Sequence, residues 1–265
     1  MTMQIRPDPQ RPGYGRVVVR YELSGFSESW TLPEQPVPES AWHDACVELV
    51  KALLVAWLTR TARAAAVYRN LAIRVHADRP KVGFDPDVCL VEPAPPEATE
   101  LESLRLWQPE HAPPALVVEV VSPNHPYKDY REIAEKCAAA GVGELLVFDP
   151  KLGGPRTGGG PHLLQLWRRL PDQGFVRVHA ARTPAFSQAI GAWWLAIDGA
   201  QRLGISDDPE GERLWLTLEQ AERAAREAER AAREAERVAK EDALRRVAEL
   251  EAELQVLGGR DRGDH

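Results

Sequence analysis

The chain has 265 residues, 44% of them hydrophobic, enough for one sizeable core with an appendage. Its formal charge of −7 argues against a broadly basic nucleic-acid-binding surface, though not against a local basic groove. No apolar run is long enough to span a bilayer, and MTMQIRPDPQRPGYGR lacks the apolar stretch of a secretory signal, so a cytoplasmic location without a membrane partner is expected.

In chain order, residues 1–15 are rich in Pro and Arg and are expected to be flexible. RVVVRYEL then alternates like a strand. Ser40 is placed to cap a helix over 41–61, where Trp42, Ala45, Cys46, Leu49, Leu53, Ala56 and Trp57 recur at helical spacing. VYRNLAIRVH reads as a strand, ADRPKVGFD as a turn and PDVCLV as a strand. EPAPPEATELESLRLWQPEHAPP is a long loop with one helical turn near Glu100. ALVVEVV barely alternates, which predicts a strand buried on both faces. A helix is expected from Asp129 or Tyr130 to Ala140, with Gly141 at the C′ position. ELLVFDP is another buried strand, HLLQLWRRL and GFVRVHA form a hairpin, and AFSQAIGAWWLAIDGAQRLGISD closes the globular part with short strands and turns. This order predicts an α/β fold: a mixed sheet flanked by helices, with a βαβ unit formed by ALVVEVV, the following helix and ELLVFDP.

The composition changes at Thr217. AERAAREAERAAREAERVAKE repeats every seven residues, with alanine on the seam and i,i+4 pairs such as Glu222 with Arg226 and Glu229 with Arg233. Val247, Leu250, Leu254 and Leu257 form a stronger apolar stripe beyond a phase slip near Asp242. The expected organisation is a flexible 1–15, a globular 16–206, a linker 207–216, a long helix 217–257 and a disordered tail 258–265. The helix reads either as a charge-stabilised single helix or as a coiled coil joining a homodimer. Cys46, Cys89 and Cys137 lie far apart in apolar contexts, which predicts buried free thiols.

Two acids stand out because each sits in a short apolar run. Asp87 opens PDVCLV and Glu119 lies inside ALVVEVVS. A carboxylate among β-branched residues is costly to bury without a partner. Two such acids on neighbouring strands can share one Mg²⁺ (or Mn²⁺), which takes oxygen ligands and keeps several waters. A lysine nearby would stabilise developing charge or position an attacking water. Lys136 and Lys128 are the candidates, and Lys136 is preferred because Ile133, Cys137 and Ala140 place it at the edge of a packed helix face. The ordinary readings stay open: Asp87 as a turn cap, Glu119 as the partner of an arginine, Lys136 as a surface pair with Glu132. Asp85 is a further acid in the turn. His43 and Glu48 read as a solvated helix edge unless that helix backs the site. Asp149 in FDP reads as turn chemistry, and His125 as a loop histidine. GPRTGGGP has no following GK[ST] and is not a phosphate loop.

PDVCLV, PPALVVEVVSPN and KDY…EKCAAAGVGELLVFDP, in that order, resemble the putative restriction endonuclease family of the PD-(D/E)xK nuclease superfamily. The likeness runs from about Pro33 to Asp198. It implies a restriction-endonuclease-like core that hydrolyses DNA phosphodiester bonds with Mg²⁺. Asp87 matches the first acid of the motif and Glu119 the second. Val121 stands where the superfamily's lysine falls. Many family members carry that lysine four residues after the Asp matching Asp129, where this chain has Ile133; Lys136 follows three residues later. The expected activity is a metal-dependent endonuclease with Asp87, Glu119 and Lys136 as its site. The alternatives are an inactive nuclease fold serving as a binding or assembly module through its C-terminal helix, and a metal-dependent hydrolase of another phosphoester.

Overall fold

The computed structural model describes residues 2–7, 15–21, 25–27, 29–32, 40–96, 98–122, 128–156 and 160–260. His125 and residues 261–265 lie outside them, as do the side chains of Lys128 and Asp129. The chain divides into two compact units, Met1–Thr217 and Leu218–His265.

The first unit begins with β1 (Thr2–Pro7) and β2 (Gly15–Tyr21), then α1 (Ala41–Thr61), β3 (Ala66–Arg69), β4 (Ala72–Arg74), β5 (Gly83–Phe84), β6 (Val88–Val91) and β7 (Ser103–Arg105). It continues with β8 (Leu116–Val120), a π-helical turn at Lys128–Glu132, α2 (Ile133–Ala140), β9 (Glu144–Phe148), β10 (Leu164–Leu170) and β11 (Gly174–Ala181). Three short strands close it: β12 (Ala185–Ser187), β13 (Ala192–Ile197) and β14 (Arg202–Ser206). Eight strands form one sheet in the order β1-β2-β11-β10-β9-β8-β6-β3. Only β8 and β9, joined through α2, run parallel within it. The mixed sheet flanked by helices and the βαβ unit are therefore as the sequence indicates.

The central strands separate two cores, and residue parity decides which core each side chain joins. Leu116, Val118 and Val120 of β8 pack with α1 and the β12-β13-β14 sheet. Val117 and Val121 face the opposite way, with α2 and the β5-β4-β7 sheet. Both faces of β8 and β9 are buried along their whole length.

Ser40 caps α1 by accepting from the His43 backbone N–H at 3.2 Å, a contact worth about 1 kcal/mol. The buried stripe of α1 is His43, Cys46, Val47, Val50, Leu53, Leu54, Ala56 and Trp57. It is rotated from the expected stripe, since Ala45 is exposed and Leu49 only half-buried. α2 ends at Gly141, whose φ of 86° suits glycine and whose N–H reaches the Cys137 carbonyl.

Other differences are local. Thr2–Pro7, expected to be flexible, pairs antiparallel with β2, so a partner strand supplies order that its own composition does not advertise. VYRNLAIRVH is not one strand: Asn70, at φ 50°, breaks it into β3 and β4, which belong to different sheets. The long loop after β6 makes a single hydrogen-bonded turn just before Glu100, from Ala98 N–H to the Pro95 carbonyl, and also holds strand β7.

The second unit is α3 (Leu218–Arg260), which carries the ion pairs Glu222–Arg226 and Glu229–Arg233. Among its described residues Leu244, Val247 and Leu250 are exposed. No helix among the described residues is long and apolar enough to cross a membrane.

Candidate active site

Glu119 is buried near the C-terminal end of β8, on the parity that faces α2. β6 pairs with β8 through Val88↔Val118, Cys89↔Val117 and Leu90↔Leu116. The paired register ends at Val88↔Val118, so Asp87, just before β6, and Glu119, just after Val118, lie at the same end of the β6–β8 pair. Asp87 is bonded there to His43 of α1, and Glu119 is on the strand parity of the α2-side core.

Asp87 is held there by its own hydrogen bonds. Its Oδ2 accepts from the Val120 backbone N–H at 2.7 Å and lies 3.1 Å from His43 Nε2. His43 Nε2 is also 3.0 Å from the Val120 carbonyl oxygen. A carbonyl and a carboxylate both accept, so the proton resides on Nε2 and is shared between them. No further hydrogen bond to Asp87 is present among the described residues, so its Oδ1 keeps its lone pairs. The Asp87 side chain is 16% exposed and that of His43 only 4%, so the carboxylate meets solvent while its anchor is buried.

Lys136 is buried in α2, with Nζ 3.2 Å from Glu132 Oε2. The predicted helix-surface pair exists, but it ties down a lysine that is itself withdrawn from solvent. Lys136 and Glu119 act on a common neighbour, Cys137. Burial pushes that thiol's pKa up, Glu119 raises it further, and Arg169 and Lys136 pull it down. Burial, aided by Glu119, also raises Cys89 to about 12. All three cysteines are free, buried thiols. Val121 and Ile133, the alternative lysine positions, are both buried apolar residues of the α2-side core.

Several other expectations separate from this end of the strand pair. Glu48 is exposed and pairs with Arg69, which also binds Asp44, so it is drawn away from Asp87. His43 is not a solvated edge; it is part of the buried α1 stripe. Its position three residues before Cys46 and seven before Val50 was the sequence signal for that. Asp149 serves turn chemistry, as expected, and more. It accepts from Gly153 N at 3.0 Å, Gly154 N at 2.9 Å and the Tyr130 hydroxyl at 2.6 Å. A Cβ on Gly154 would lie 2.2 Å from the Tyr130 ring, so glycine is needed for this close approach. Tyr130 thus clamps the π-helical turn before α2 to the end of β9. Next to it, burial and then Arg177 and His179 lower His162 from 6.5 to about 4.

The acids at this end of the strand pair offer oxygen donors, Asp87 Oδ1 and the Glu119 carboxylate, while the Val120 carbonyl accepts from His43 Nε2. Oxygen sets of this kind suit hard divalent cations. Among the described residues no group of three or more His, Cys, Asp or Glu is arranged to hold a metal ion. Mg²⁺ can be held by one or two carboxylates with water completing its shell.

Residues 31–154 match the Uma2 family model, described as "Putative restriction endonuclease". Over this segment the chain is similar to that family. The matched segment contains His43, Asp87, Glu119 and Lys136 and ends before β10, short of the span suggested by the sequence motifs. A solved structure described as a putative nuclease belonging to DUF820 from Anabaena variabilis ATCC 29413 aligns with a TM-score of 0.41 and 15% identity, covering 58% of this chain and 76% of that one. No curated protein matches the chain.

Proposed function

We propose that this chain is a metal-dependent endonuclease that hydrolyses DNA phosphodiester bonds, with Asp87 and Glu119 holding Mg²⁺ or Mn²⁺ and Lys136 assisting. The family match supports a nuclease acting on nucleic acid. The observation that carries the finer reading is that Asp87 is bonded through Oδ2 to the Val120 N–H, next in sequence to Glu119, and keeps its other oxygen open.

A divalent cation bound there supplies neutralisation of charge on the scissile phosphate. The protein's own groups do the rest. Val120 N–H and His43 fix the Asp87 carboxylate, so it need not reorganise as charge develops. Glu119, buried on the α2 side, is the second anchor. Lys136 brings a fixed positive charge to that side of β8, where it orients the attacking water and offsets negative charge on the phosphate. Purified protein with Mg²⁺ is expected to nick DNA, and Asp87→Ala or Glu119→Ala to abolish the nicking. Unchanged cleavage in both variants would refute the assignment.

The exposed Leu244, Val247 and Leu250 favour an added assembly role for α3. Apolar residues at this spacing on a solvated helix are satisfied by a second copy of the same helix, giving a homodimer. Sedimentation should show a dimer that becomes a monomer when Leu244, Val247 and Leu250 are changed to Glu. A chain that is monomeric throughout the micromolar range would leave α3 as a single helix.

A further inference from the structure

We infer that His43 is a positioning residue that makes Asp87 a one-oxygen ligand and thereby biases the site toward small octahedral cations over calcium. This rests on the reading that Asp87 and Glu119 bind a cation, and adds a determinant of which cation.

The geometry is specific. Asp87 Oδ2 already receives two donors, the Val120 N–H at 2.7 Å and His43 Nε2 at 3.1 Å. An oxygen with two donors has little left for a metal, so the carboxylate can offer Oδ1 alone. His43 comes from α1, on the far side of the sheet from α2, and its side chain is only 4% exposed. It cannot swing aside without leaving the packed helix face. Its Nε2 lies between Asp87 Oδ2 and the Val120 carbonyl at nearly equal distances, so one buried N–H ties the acid to the strand that carries Glu119. Mg²⁺ demands near-ideal octahedral geometry and takes single carboxylate oxygens, whereas Ca²⁺ readily accepts a carboxylate through both. A carboxylate locked through one oxygen therefore suits the smaller ion. Partners that orient a metal ligand in this way commonly contribute 10–100-fold in metal affinity.

The test is calorimetric titration of the full-length chain with Mg²⁺, Mn²⁺ and Ca²⁺ separately, together with thermal unfolding. The proteins are wild type, His43→Phe, His43→Gln, His43→Asn and Asp87→Ala. His43→Phe is expected to weaken Mg²⁺ and Mn²⁺ about 10–100-fold and Ca²⁺ by less. His43→Gln can place an amide N–H where Nε2 stood and should restore most of the lost affinity and selectivity. His43→Asn is too short to reach and should behave like His43→Phe, which keeps the comparison open if the larger ring disturbs folding. A merely structural histidine would lower the affinity for all three ions in proportion to lost stability. That outcome, or wild-type affinities in folded His43→Phe alongside lost binding in Asp87→Ala, overturns the role of His43 and leaves the metal site standing. No binding of Mg²⁺ or Mn²⁺ to wild type at millimolar concentration removes the metal site and the role of His43 together.

Discussion

Glu119 and Glu144 lie in adjacent buried strands, each among apolar neighbours and each almost wholly hidden from solvent. Their places in the sheet differ. Glu144 begins β9 and accepts from Arg168 Nε at 2.6 Å, Ser187 Oγ at 2.6 Å, Gln188 N at 3.0 Å and Ala189 N at 3.3 Å. These donors fasten β12 and the turn after it to the main sheet, so the carboxylate is a structural knot. Glu119, at the other end of the β8–β9 pair, adjoins Val120, whose N–H binds a second acid, Asp87. Burial alone therefore does not say what an acid does; its partners must be known.

Substitution at the two positions should separate these roles. Glu119→Gln keeps the shape but removes a cation ligand. It should cost several kcal/mol in the barrier, about a thousandfold in DNA cleavage, with the melting temperature near that of wild type. Glu144→Gln should do the reverse: stability falls by about 3 kcal/mol in urea titration because Arg168 is left without its carboxylate, while the folded fraction still cleaves. Lys136→Met should slow cleavage about a hundredfold in a metal-saturated assay without loosening the cation. A smaller effect is expected at the clamp between them. Tyr130→Phe removes the hydroxyl bonded to Asp149 and should cost about 2 kcal/mol in chemical denaturation. The weakest effect concerns His162, lowered from 6.5 in the unfolded chain to about 4 in the folded one. Between those values the unfolded chain takes a proton that the native side chain refuses, so stability falls as pH drops from 6.5 toward 4. Melting temperatures across that window should decline less in His162→Gln than in wild type.

The central strands, α1, the βαβ unit and α3 were legible because their signals are local: caps, unbroken apolar runs, a C′ glycine and heptad spacing. β1, β5 and β7 were not: β1 is masked by its Pro- and Arg-rich surroundings and gains order from β2, and β5 and β7 are only two and three residues long. Asp87 and Glu119 could be singled out because acids are rare in such runs, but their placement at one end of the β6–β8 pair is a matter of strand pairing, which no motif encodes. Glu144 escaped notice for the same reason. It opens ELLVF just as Asp87 opens VCLV, and its donors come from segments 24 to 45 residues away. His43 was visible on the buried stripe of its helix, yet its contact with Asp87 spans 44 residues and required the fold.

The claim that one cation is shared by Asp87 and Glu119 is tested most directly by crystals soaked in millimolar Mn²⁺ and an anomalous difference map. A single peak within about 2.0–2.3 Å of Asp87 Oδ1 and a Glu119 oxygen is expected. A map with no peak between the two carboxylates, or with Glu119 turned onto a guanidinium and the manganese bound elsewhere, would contradict it.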